Sequence, residues 1–209
     1  MLAGPDEETC HPWEEGDFGE DPADITQLDH MDAAALLAEL WDGKTHEVGI
    51  AEDDEHASVR GYVEAGIAPF SRQFPGLAPS SGEQPLDPGQ LGGVLGSLPA
   101  ARIGLAPATR PADVLPLMGW LASDHFDDAL PVAAVLRSWE DRFGARLLRV
   151  GADEIRLLVE RPPRSIEAAQ RIAAEHYALC DECAGQGLRD VPSITASLVN
   201  VPIWTFWWD

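Results

Sequence analysis

His176, Cys180 and Cys183 stand at i, i+4 and i+7, so a continuous helix would carry all three on one face. Imidazole and thiolate are zinc ligands, and a tetrahedral site would need a fourth from elsewhere. Cys10-His11 supplies it only if the N-terminal arm folds back. Structural zinc sites usually pair two cysteine knuckles and this chain has one, so His176, Cys180 and Cys183 are weak metal candidates. A core thiol at Cys180 and a buried imidazole at His176 are the simpler expectation. Glu175 and His176, beside the terminal carboxylate of Asp209, would make an acid–base pair for a small hydrolase. A Gly-x-Ser-x-Gly nucleophile elbow is missing, and Gly89-Gln90-Leu91-Gly92-Gly93 lacks the Lys and Ser/Thr that a phosphate loop requires. No catalytic residue, metal or cofactor is therefore assigned, and Glu175 and His176 are carried forward as binding candidates.

Asp124-His125 and Asp127-Asp128 fall in a polar break after Trp120, the kind of loop that carries binding residues more often than a core does. Arg161 and Arg164 flank Pro162-Pro163 and would suit a carboxylate. Arg137, Arg142, Arg146 and Arg149 are interleaved with Glu140 and Asp141, which reads as a self-neutralising surface rather than an anion site. The chain has seven tryptophans, a residue that buries a large area yet keeps an N–H for a partner. Trp120, Trp204, Trp207 and Trp208 are candidates for a pocket or a partner surface, although a core role is the stronger expectation.

These side chains need elements to position them. Leu36, Leu37, Leu40 and Trp41 recur at helical spacing over about 31–41, with Thr26 or Asp29 as cap and Gly43 as stop. Residues 45–51 suggest a short strand, and the proline- and glycine-rich stretch 69–93 a surface loop. Residues 101–106 read as a strand, and Pro111 opens a helix to about Leu121. A helix over 129–143 places Val132, Val135, Leu136, Trp139 and Phe143 on one face, stopped by Gly144. Residues 146–150 and 155–160 flank Gly151-Ala152-Asp153-Glu154 as a β-hairpin. Ser165 caps a helix to about 180, and a short helix over 192–199 precedes a final strand over Ile203–Trp208. That strand is apolar on both faces, as expected of an inner strand covered on both sides or of an edge strand facing a partner. The inner place is expected because an exposed Trp-rich edge would aggregate. The sum is an α+β fold: a mixed sheet of short strands packed with helices, preceded by an acidic, partly flexible N-terminal arm.

Charge is unevenly placed. The chain has 209 residues and a net charge of −22, and residues 1–55 hold 18 of the 36 acids against one base, Lys44. Such excess argues against bare nucleic acid as a partner and for a basic protein surface. No apolar run is long enough for a transmembrane helix, so no membrane role is expected. The N-terminus lacks a signal peptide and three cysteines cannot frame a disulfide scaffold, so a cytoplasmic location is expected.

Four blocks resemble a known family. They are Val135–Arg146, Leu158–Pro163, Ala174–Cys180 and the terminal Pro202-Ile203-Trp204-Thr205-Phe206-Trp207-Trp208-Asp209. In this order they are similar to DUF4253, a family common in actinobacteria, over about residues 100–209. The resemblance implies a small α+β domain and no particular activity. Where the family would have Cys-Pro-Asp, this chain has Cys180-Asp181-Glu182-Cys183, which makes Cys183 a local feature. The chain thus divides into an acidic arm (1–24), an acidic and Pro/Gly-rich region (25–99) and a DUF4253-like domain (100–209). The expected function is a non-enzymatic acidic protein-binding module, such as an immunity-type inhibitor of a basic toxin. The alternative is a small hydrolase or metal-dependent enzyme using Glu175 and His176.

Overall fold

The computed structural model describes residues 22–46, 64–96, 103–121, 126, 128–180 and 190–208. A 3-10 turn at Ile25–His30 leads into α1 (Ala33–His46), followed by α2 (Pro88–Gly96), a 3-10 turn at Pro111–Asp113 and α3 (Val114–Leu117). Next come α4 (Leu130–Phe143), β1 (Ala145–Val150), β2 (Glu154–Val159), α5 (Ile166–Leu179), α6 (Val191–Leu198) and β3 (Ile203–Trp207).

Local chemistry explains most boundaries. The Asp32 carboxylate caps α1 by accepting from the Ala34 amide at 2.8 Å, Ser165 caps α5, and Asp190 caps α6. Asp128 accepts from the Leu130 amide at the start of α4, and Gly144 ends that helix in the left-handed region at φ 64°. β1 and β2 form the expected antiparallel hairpin, from Ala145 opposite Val159 to Val150 opposite Ile155, with a bulge between Leu147 and Arg149. β3 pairs antiparallel with β2, so the order is β1-β2-β3. Ile155, Leu157 and Val159 of β2 and Trp204 and Phe206 of β3 point to one face. There they meet Trp139 of α4 and His176 of α5.

The fold is α+β, and several details depart from expectation. Among the described residues β3 lies at an edge of the sheet rather than inside it, because its large rings are covered by helices on one face and the central position falls to β2. Residues 103–106 form no strand. Ile103 and Leu105 are 81% and 97% exposed, and an alternating pattern gains nothing without a ladder partner. α1 runs through Gly43 to His46, since burying Trp41 and Thr45 outweighs the cost of one glycine. It therefore takes the first two residues of the expected 45–51 strand, and residues 47–51 lie outside those described. The caps before α1 are Asp24 and Asp32, not Thr26 or Asp29. The helix opened by Pro111 breaks into a 3-10 turn and the single turn of α3, and Gly119 follows at φ 62°. The last part of the 69–93 loop folds as the start of α2.

One apolar cluster unites distant parts of the chain. Leu37 and Trp41 of α1, Ile67 and Ala78 join α4, α5, α6 and the sheet in it. Residues of the 25–99 region thus help build the same core as the C-terminal half. Trp41 packs on Phe70, Phe74 and Tyr177, and its Nε1 donates to the Arg72 carbonyl at 3.0 Å.

Candidate functional site

Glu175 is the polar centre of the core. It lies on the inward side of α5 and is fully buried. Its Oε1 accepts from the Ala78 amide at 2.6 Å and from Arg142 Nη1 at 2.8 Å. Its Oε2 accepts from Trp139 Nε1 at 2.7 Å and from Arg142 Nη2 at 2.6 Å. Trp139 and Arg142 come from one face of α4, three residues apart, and Arg142 also donates to the Ala78 carbonyl. A carboxylate has about four lone-pair sites. All are taken here, which makes Glu175 a clamp between α4, α5 and the segment around Ala78 rather than a base with a site open to substrate.

His176 points into an aromatic box. Its ring centroid is 4.6 Å from Trp204, 4.7 Å from Phe206 and 4.9 Å from Trp139. Burial pushes its pKa down from 6.5 to about 3, because a cation has no solvation among these rings. It is a neutral imidazole at physiological pH. The rings continue through Phe206 to Trp208 and on to Trp120, whose Nε1 donates to the Gly151 carbonyl at 2.8 Å. Trp120, Trp204 and Trp208 are thus core residues. Trp207 faces the other way, is partly exposed, and donates from Nε1 to Asp153 at 2.7 Å. Arg161 is partly buried at the end of the hairpin, where its amide donates to the Phe143 carbonyl.

The metal-like spacing is not built as a helical face. α5 ends at Leu179, and Cys180 is extended and buried, with its Sγ donating to the Trp207 carbonyl at 3.0 Å. Cys183, Asp124, His125 and Asp209 lie outside the described residues, as do Cys10 and His11. No group of three or more metal-ligating side chains converges among the described residues.

Several of the described arginines are matched to acids of the same body. Arg110 pairs with Glu140 and Asp141, Arg146 with Glu160, and Arg156 with Glu154. Arg137 pairs with Asp113, which is 1% exposed, and reaches Asp29 at 2.9 Å. The hydrogen bond that Arg137 Nε donates to Asp113 raises the Arg137 pKa against the opposing effect of burial. Asp24, Asp32, Glu39 and Asp42 are exposed, as is Asp29 beside Arg137. Asp32, Glu39 and Asp42 follow one helical stripe of α1, opposite the buried Leu37 and Trp41.

Sequence reasoning singled out Glu175 but missed its partners. Trp139 and Arg142 have the right i, i+3 spacing to act together, yet nothing in the sequence says that position 175 lies opposite them. It likewise missed the buried Asp113.

The fold and its polar centre define a class: a small α+β domain with, among the described residues, a three-stranded antiparallel sheet packed against two helices that a buried ion pair joins. Residues 102–209, just over half of the chain, match the model of the domain of unknown function DUF4253, and the chain belongs to that family. No curated protein and no solved structure matches it.

Proposed function

We propose that this protein is a non-enzymatic binding module that takes a basic protein surface, with an immunity-type inhibitor of a cationic toxin as its specific form. The observation that carries this is the anchored acidic stripe of α1. Leu37 and Trp41 fix the helix in the core while Asp32, Glu39 and Asp42 face solvent. Arg110, Arg137, Arg142 and Arg156 are paired with acids of the same body, and residues 1–55 carry 18 acids against one base. Carboxylates held on a rigid helix pre-organise an anionic surface, steer a cationic partner and disfavour polyanions and anionic lipid. The four donors around Glu175 and the aromatic box around His176 support a structural role for that pair over a hydrolase.

The test uses the full chain, because shortening it before α1 would remove core residues. Cationic proteins retained at low ionic strength are identified. Their affinity is then measured against salt for the native chain and for a variant with Glu39→Gln, Asp42→Asn and neutral residues at 52–55. Weaker binding and a shallower salt dependence are expected in the variant. Equal affinity and equal salt slope would overturn the proposal.

A further inference from the structure

A cavity of about 500 Å³ lies between β1 and the segment 104–111, with α3 alongside. Leu105, Val114, Met118 and Leu147 contribute apolar walls. The charged residues lining it, among those described, are Arg110 and Arg146. In a chain of net charge −22, a cavity walled by hydrocarbon and lined by two cations runs against the character of the molecule.

The two arginines differ. Arg110 is committed: Nε donates to Glu140, and Nη2 to Asp141 and the Arg137 carbonyl. Arg146 gives its Nε to Glu160 at 2.8 Å and is 57% exposed. Among the described residues its two terminal amino groups meet no acceptor. A guanidinium fork with free terminal donors is the group that recognises carboxylate or phosphate in a bidentate manner. Leu105, 97% exposed, lines the same cavity and would lose its contact with water if the cavity were filled. The volume falls within the range of small-molecule sites, which pair apolar walls with a few placed polar groups.

We propose that this cavity binds a small amphipathic anion, its hydrocarbon part against Val114, Met118 and Leu147 and its acidic head on Arg146. The site uses none of the carboxylates on which the protein-binding proposal rests, so the two stand or fall separately.

Isothermal titration of the full chain with octanoate, 1-octanol and octylamine tests it. Net charge alone would favour the amine. The proposed site reverses that order, with saturable one-to-one binding of octanoate tightest. Arg146→Gln should weaken octanoate about tenfold, the loss expected for one charge-assisted contact, and leave octanol unchanged. Val114→Trp should fill the cavity and abolish both. If that variant does not fold, Leu105→Glu, at a position the fold leaves in solvent, should weaken octanoate alone. Preference for octylamine, absence of saturable octanoate binding, or an unchanged octanoate affinity in Arg146→Gln would each overturn the proposal.

Discussion

Glu175 is fully buried and Arg142 mostly so, and the contribution of their opposite charges depends on both being present. In Glu175→Gln the amide would place an NH₂ donor among groups that are all donors: the Ala78 amide, Trp139 Nε1 and the Arg142 guanidinium. Breaking a buried pair in this way typically costs about 3–5 kcal/mol. Urea unfolding should report a loss of that size. Replacing both partners with apolar residues of similar volume should cost less, because no charge is then stranded. His176 adds a pH dependence. Its folded pKa of about 3 lies below its unfolded value of 6.5, so between these values the unfolded chain binds more protons. Its full contribution is present above pH 6.5 and declines as pH falls toward 3. The slope is at most about 1.4 kcal/mol per pH unit. Trp139, Trp204 and Phe206 face the ring, so His176→Phe keeps an aromatic packing and removes the proton. Stability measured from pH 5 to 6.5, above the range where ordinary carboxylates titrate, should lose this slope in the variant.

At the scale of elements, the turn from α4 into β1 is set by one backbone conformation. Gly144 has φ 64°, and a Cβ placed there would sit 2.9 Å from Glu160 Cβ and Oε2. Gly144→Ala therefore combines left-handed strain with a clash against a side chain of the neighbouring strand end. A loss of about 1–3 kcal/mol is expected by chemical denaturation, with the Arg146–Glu160 pair disturbed as Glu160 shifts. The hairpin next to this turn was readable in the sequence, because Gly144 and the loop at 151–154 delimit two short apolar runs. The place of β3 was not. Its Ile203–Trp208 pattern announces a strand apolar on both faces, but an inner strand and an edge strand covered by helices look alike in one dimension. The reverse error occurred at 103–106. Ile103 and Leu105 alternate as a strand would, yet they meet no ladder, and backbone hydrogen bonding to a partner is what turns a pattern into a strand.

The whole molecule is held by a core that ignores the family boundary. The matched residues begin at 102, whereas Leu37 and Trp41, both with no exposed surface, belong to the same cluster as Trp139 and Trp204. Trp41→Ala should cost about 3–5 kcal/mol, the usual range for emptying a buried tryptophan site. Because the core is shared, the loss should appear as one cooperative unfolding step, followed together by near- and far-ultraviolet circular dichroism, rather than as separate melting of an N-terminal piece. A distinct early transition confined to helical signal would show instead that α1 is an appendage.

The amino-acid sequence by itself determined the fold class, the extents of α4, α5, α6 and the hairpin to within a residue or two, and the family. Each of these rests on local periodicity, caps and ordered blocks. It also determined where negative charge concentrates, since that is a matter of counting. Only the tertiary structure decided which charges meet. Glu175 changes from a binding candidate into a clamp because Ala78 and Arg142, 97 and 33 residues away along the chain, converge on it. Arg146 keeps terminal donors beside an apolar cavity because Glu160 takes only its Nε. Pairing across such separations depends on how helices and strands pack in space, and hydrophobic burial, which drives that packing, is non-directional and leaves no residue-to-residue record in the sequence.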